Sequence, residues 1–441
     1  MSELVQQIND RIYTFFLESH DYNGIPLRNI SQEFSIDYLE SIDIIIELVR
    51  KKLVSIQSST NPHIIGFKHP EINKQIEVLE QAKIIQEEVI TEVEGLTISC
   101  ENTDYPICLY PSQSYLKDHR NLEQFGIAVY TKMLALGEPQ LSPVFFEIEV
   151  LDRYYSDPRF EYTFSDYSGS ISCKYDENNN PILREEDQVF LKTFGLGYNQ
   201  NNERLAVVFL RYLKDLTPEH QAYWKGKQVS GNCKIVQEYY ENAIQGNWTT
   251  SCSIFTAFIQ EHHALNDLSE IIFGKYLFHK TYIDDNTPKD FTFFFTPTTK
   301  NFNEFILLLD KMLSDNINLD FFKDKVDIFE YKEIREGVVE KKQKGTLSLF
   351  QEWFSSIYHT SNGEDLSELF SPFKKVRKER QNPAHKITEN KYDKQYFLLQ
   401  KQYLEECFDA IKTLRMIFQK HPKGRSYKMP DWYDQVNIKV F

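Results

Sequence analysis

The sequence predicts a multidomain α+β chain in three parts: an N-terminal module of helices with a short strand pair (1–75), a central mixed α/β domain (76–294) and a C-terminal all-α four-helix bundle (295–441). Three observations carry that expectation. At 441 residues the chain exceeds the ~100–200 residues usual for one domain. A hydrophobic content of 41% with 14% aromatics supplies folded cores and argues against disorder. The apolar pattern is helical at the start, mixed in the middle and helical again from about 295.

The first 75 residues read as three helices followed by two strands. Val5, Ile8, Ile12, Phe15 and Phe16 recur at helical spacing, and Asp21-Tyr22-Asn23-Gly24 breaks the run before Pro26 opens a second segment. Tyr38, Ile42, Ile45, Ile46 and Val49 form the stripe of a third helix. Leu53–Ile56 and Ile64–Phe67 read as strands joined by a polar loop containing Pro62. The order is similar to a winged helix-turn-helix, whose third helix often enters the DNA major groove. Charge argues against that use. Residues 1–95 hold 8 Lys/Arg against 16 Asp/Glu, and the third helix carries Asp37, Glu40, Asp43 and Glu47. Such a face repels phosphate, so a protein partner is the expectation for this module.

Residues 76–96 read as a Glu-rich connecting helix. In the central region Phe145–Leu151, Phe160–Phe164, Ser168–Cys173 and Leu205–Leu210 read as strands. Helical stretches at Leu122–Leu136, Lys234–Ile244 and Ile254–His263 interleave with them. The C-terminal region offers helices at Phe302–Leu313, Leu347–Tyr358, Asp365–Arg380 (Asp365 as N-cap) and Asp393–Lys420, the last ended by Pro422 and Gly424. Four helices of these lengths can bury a bundle core. The tail from Met429, with Trp432, is expected to pack back on it.

Bulk properties narrow the function classes. A net charge of −15 repels nucleic acid and anionic membranes, so any nucleic-acid site is local. The six cysteines (Cys100, Cys108, Cys173, Cys233, Cys252, Cys407) form no C-x-x-C pair, which argues against a thiolate zinc site or a disulfide framework. The polar start MSELVQQINDR lacks the pattern of a secretory signal, and no apolar run approaches the ~20 residues that span a bilayer. A cytoplasmic protein with no membrane partner is expected.

The segment richest in chemistry is Val376–Ile387, VRKERQNPAHKI. Arg380 and His385 stand in an R-x4-H spacing with Asn382 and Pro383 between them. A permanently charged guanidinium and an imidazole that titrates near neutrality are a minimal kit for cutting RNA without metal. Lys374, Lys375, Arg377, Lys378, Arg380 and Lys386 face only Glu379 in this stretch, a local excess of cations that would attract phosphate. Asn382 before proline disfavours regular α geometry, and a break there could swing His385 back toward Arg380. In a straight helix, Arg377 lies nearer the face of His385.

This arrangement resembles the HEPN (higher eukaryote and prokaryote nucleotide-binding) superfamily, four-helix bundles with an R-x4-6-H motif before the last long helix. PAHKI leading into that helix, followed by HP and PDW, looks like one group of HEPN-containing proteins. The resemblance covers about the last 145 residues. It implies a metal-independent endoribonuclease, a hydrolase without cofactor, used as a regulated toxin or in antiviral defence. His385 would act as acid or base, Arg380 would stabilise phosphorane charge, and Asn382 could orient the phosphate. Lys374, Lys375, Arg377, Lys378 and Lys386 would bind RNA. Two bundles would pair as a homodimer, because one motif supplies a single histidine and a single arginine. Gln381 only partly matches the polar residue that family motifs often place after the arginine. The alternative is a non-catalytic HEPN/winged-helix regulator that binds protein or nucleic acid.

Other motifs read as structural. Glu261-His262-His263 lacks H-E-x-x-H spacing, and Gly195-Leu196-Gly197 lacks the third glycine of a dinucleotide turn. His220 sits among aromatics, an environment more typical of packing than of chemistry.

Overall fold

The computed structural model describes residues 2–84, 87–93, 96–102, 106–335, 338–359, 366–381 and 389–440. It is a mixed α+β chain, 49% helix and 18% strand, with a helical C-terminal region. Two compact units divide it, residues 1–164 with 168–236, and residues 165–167 with 237–441.

The first unit opens with α1 (Glu3–Glu18), β1 (Ile25–Pro26), α2 (Leu27–Phe34), α3 (Tyr38–Arg50) and β2 (Val54–Ser58). Ser2 accepts from the Val5 amide at the start of α1, and Asp37 accepts from the Leu39 amide at the start of α3. Ile8, Ile12, Ile42, Ile45 and Leu48 are fully buried in one shared core. Next come α4 (Ile72–Ala82), the paired strands β3 (Glu87–Val93) and β4 (Leu96–Asn102), and β5 (Ile107–Pro111). The sheet order is β1-β5-β2, both pairings antiparallel.

Two expectations fail here. Ile64–Phe67 is not a strand; β2 pairs instead with β5, whose five residues are all buried. An apolar tetrapeptide fits a loop as well as a strand, and only the partner decides. The Glu-rich connector is helical only as far as Ala82, and the chain turns to strand from Glu87.

The rest of this unit holds α5 (Gln113–His119), α6 (Val129–Ala135), β6 (Pro143–Glu147), α7 (Asp152–Ser156), β7 (Phe160–Ser165), β8 (Ser168–Cys173), β9 (Phe190–Tyr198), β10 (Arg204–Phe209), α8 (Leu210–Leu213), α9 (Pro218–Gly226), β11 (Gln228–Val229) and β12 (Lys234–Ile235). A seven-stranded sheet runs β11-β6-β10-β9-β8-β7, with β12 added on β9. Phe145–Leu151 is strand only to Glu147, then a 3₁₀ turn that buries Ile148, Val150 and Leu151. Leu122–Leu136 is a 3₁₀ turn followed by the short α6, and Lys234–Ile244 begins as β12. Strand β9 was also not expected, and Gly195-Leu196-Gly197 is buried within it, mid-sheet. A Cβ on Gly197 would stand 2.6 Å from Val207 Cγ2 and 2.8 Å from the Lys234 carbonyl oxygen. That glycine admits β10 and β12, and no helix follows it.

The second unit contains α10 (Gln237–Tyr240), β13 (Ser251–Ser253), α11 (Ile254–Phe273), α12 (Thr299–Leu313), the hairpin β14 (Phe329–Arg335) and β15 (Val338–Gln343), α13 (Thr346–Ile357), α14 (Ser371–Gln381), α15 (Gln395–Lys420), α16 (Asp431–Asp434) and β16 (Asn437–Lys439). One hydrophobic core joins Phe258, Leu265, Leu309, Trp353, Phe373, Val376, Ile411, Leu414 and Phe418. Residues 252–291, placed with the central domain on pattern, share this core through α11. Across the α11–α15 contact, fully buried Glu261 accepts two hydrogen bonds from Arg415 at 2.7 and 2.8 Å and one from Tyr433 at 2.9 Å. The tail docks through Met429 and Tyr433, with β16 parallel to β13, while Trp432 stays exposed. The helix expected from Asp365 opens as a 3₁₀ turn at Leu366–Phe370 before α14; Asp365 itself lies outside the described residues.

Candidate functional site at the end of α14

The site is built where α14 packs on the last turn of α12. Phe373 and Val376 turn α14 toward the core, which leaves Arg377 and Arg380, three apart, on a neighbouring stripe. Opposite them, α12 buries Phe302, Phe305, Ile306, Leu309 and Leu313, and places Asp310 on the same buried face. The Asp310 side chain is 1% exposed, and a carboxylate that deep requires a cation. Both arginines supply it. Asp310 Oδ2 accepts from Arg377 Nη1 at 2.9 Å and from Arg380 Nη1 at 2.5 Å, and the Ser314 hydroxyl donates to its other oxygen.

A second carboxylate closes the cluster from outside. Asp315, just past the end of α12, accepts from Arg377 Nη1 through Oδ1 and from Arg380 Nη1 through Oδ2, both at 2.6 Å. Ser314 Oγ receives a further bond from Arg377 at 3.0 Å. Partial burial opposes ionisation of Asp315, but the two guanidinium groups outweigh it and hold its carboxyl below the ordinary range. Hydrogen bonds from Arg380 to Asp310, then Asp315, raise the arginine's own pKa. Both arginines also lie in the C-terminal half of α14, where the helix dipole favours cations.

The remaining predicted RNA contacts divide. Lys375 is bound to Glu406 of α15 at 2.9 Å. Lys374 and Lys378 are exposed, with no ion-pair partner among the described residues. Five described cations therefore share this surface with four carboxylates, Asp310, Asp315, Glu379 and Glu406. The isolated positive patch expected from Lys374–Lys386 is in large part neutralised from elsewhere in the chain. Asn382, His385 and Lys386 lie outside the described residues, as does the proline break at Pro383.

Asp310, Ser314 and Asp315 were not singled out from sequence. A signal existed for the first, since a carboxylate on a helix's apolar stripe demands a partner. Nothing local marks Asp315, whose arginines lie 62 and 65 residues away.

The other motifs are occupied structurally. His262 is fully buried, stacked on Phe278 with ring centroids 4.1 Å apart, and burial lowers its pKa to about 3. His220 is buried against Tyr154, whose hydroxyl lies 2.7 Å from Nδ1, and its pKa falls to about 4, chiefly through burial. Lys227 bridges Glu147 and Glu149 at 2.8 and 3.3 Å. Among the described residues no group of three or more His, Cys, Asp or Glu side chains is placed to hold a metal ion, and no helix is long and apolar enough to cross a membrane.

Comparison of the chain with protein-family models, with curated proteins and with solved structures finds no match.

Proposed function

We propose that this protein is a metal-independent endoribonuclease of HEPN type, working in the cytoplasm as a regulated toxin or anti-phage effector. The observation that carries the reading is the fixed position of Arg380. Its guanidinium is tied to a buried carboxylate near the end of α14, five residues before His385 and ahead of the long helix α15. A pre-oriented guanidinium loses little freedom when a phosphate charge develops beside it. His385 would take the proton of the 2′-hydroxyl or return one to the leaving oxygen, a role worth roughly 10²–10⁴ in rate. Asn382 would orient the phosphate, and Lys374 and Lys378 would guide the strand. Two copies would pair through the helical unit to combine their motifs.

The N-terminal module supports a winged-helix reading through its order α1-β1-α2-α3-β2 and its sheet order β1-β5-β2. On that reading α4 and the β3–β4 pair enlarge the wing. Residues 1–95 hold 16 Asp/Glu against 8 Lys/Arg, and two of those lysines, Lys51 and Lys83, are engaged by Glu47 and Asp43 on α3, so the module suits a protein partner better than DNA.

One observation favours a second reading, a non-catalytic interaction protein. Arg380 already has two carboxylate partners, which is also how a purely structural arginine looks. Incubation of the full chain with labelled RNA in EDTA separates the two. The enzyme produces fragments ending in 2′,3′-cyclic phosphate, and His385→Ala abolishes them while the protein remains folded. Equal RNA binding by wild type and His385→Ala, with no cutting by either in the presence of candidate triggers, leaves the interaction protein.

A further inference from the structure

We infer that Asp315 is a built-in phosphate mimic, which occupies the place of an RNA phosphodiester across Arg377 and Arg380 and must be displaced before RNA binds. The inference rests on the RNA-directed reading of Arg380 above. Its basis is the unequal character of the two carboxylates in the cluster. Asp310 is 1% exposed, lies in the last turn of α12 and is tied down by Ser314. Asp315 is 38% exposed and follows the helix. Removing Asp310 would strip the arginines of their internal support; Asp315 can swing into water with no buried charge left behind.

The geometry of Asp315 matches the ligand it would stand in for. Its two oxygens go to two different guanidinium groups, Oδ1 to Arg377 and Oδ2 to Arg380, each at 2.6 Å. The two non-bridging oxygens of a phosphodiester offer the same pair of acceptors. Charge decides how the exchange proceeds. With both carboxylates in place, two cations balance two anions, so an added phosphate meets no net attraction. When a phosphate replaces Asp315 the balance is kept, and the arginines retain Asp310. Lys374 and Lys378, exposed on the same helix, would favour the incoming backbone over the intramolecular carboxylate.

The test uses the full chain and a fluorescein-labelled 2′-O-methyl RNA oligonucleotide of mixed sequence, which cannot be cut, with binding read by anisotropy. Asp315→Asn is expected to tighten binding roughly tenfold at low salt, and the gain should shrink as salt rises. Asp315→Glu, which keeps the charge, is expected to stay near wild type. Arg380→Gln should weaken binding in both the wild-type and the Asp315→Asn background. If Asp315→Asn and Asp315→Glu both bind like wild type while Arg380→Gln loses affinity, the mimic is wrong and the role of Arg380 stands. If Arg380→Gln changes nothing in either background, the RNA-directed reading of the arginine falls, and the mimic falls with it. Thermal melts of each variant distinguish lost binding from lost fold, and Asp315→Ser replaces Asp315→Asn if the latter does not fold.

Discussion

At the residue scale, the buried charges set the sharpest expectations. Asp310 is held by two arginines, so truncating either arginine leaves it one cationic partner, and truncating both leaves it only the Ser314 hydroxyl. The double change Arg377→Ala/Arg380→Ala is expected to destabilise the fold by about 3–5 kcal/mol, and each single change by much less. Urea titration of the three variants checks this; additive single effects would show that the arginines do not share Asp310. Asp315 has the opposite consequence for pH. Its folded pKa lies below the unfolded value of about 3.9, so its contribution is present above that value and is lost as pH falls through the folded pKa. Its partial exposure keeps that contribution small.

Lys325 is a residue whose charge the fold disfavours. Its ammonium has no hydrogen-bond partner among the described residues, stands 3.6 Å from the centre of the Phe321 ring with Phe273 and Trp353 nearby, and burial lowers its pKa to about 8. The unfolded chain holds that proton up to about 10.4, so between the two values stability rises with pH, and below about 8 the full penalty applies. Lys325→Met, which keeps the apolar stem, is expected to raise the melting temperature at pH 7 by a few degrees, roughly the shift of 1 kcal/mol. The advantage over wild type should narrow toward pH 10. A lower melting temperature at pH 7 would mean that attraction to the rings outweighs burial.

At the scale of elements, legibility followed the range of the forces involved. The helices α12, α13 and α15 were readable because each buries one stripe at helical spacing, a property of consecutive residues. The strand β9 was not, because a glycine pair inside a strand reads as a turn until its neighbours are known. Ile64–Phe67 erred the other way, since β2 finds its partner about fifty residues on, at Ile107–Pro111. The candidate site divides similarly. Arg380 and the cations around it stand in one continuous segment, whereas the carboxylates that hold them arrive from α12 by tertiary packing. Gly197→Ala tests the β9 account. The added methyl meets Val207 and the Lys234 carbonyl, and overpacking of that kind costs about 1–3 kcal/mol. A neutral result would show that β10 and β12 can move aside.

At the scale of the whole molecule, the decisive quantity is where a protein of net charge −15 can tolerate a polyanion. The N-terminal 95 residues carry twice as many acids as bases, which disfavours RNA there, and the proposed RNA site is the end of α14. There the number of available cations is small. Lys374 and Lys378 are exposed, and Arg377 and Arg380 become available once Asp315 yields, whereas Lys375 is committed to Glu406. Four phosphate contacts on single-stranded RNA give a slope of about −3 for log affinity against log salt. Lys374→Gln and Lys378→Gln should each flatten it by about 0.7, and Lys375→Gln should leave it unchanged. Anisotropy titrations of the full chain across a salt series measure all four slopes. A slope near zero in wild type would place RNA elsewhere or nowhere. A loss on Lys375→Gln equal to the others would show that the Glu406 bond opens to admit the strand.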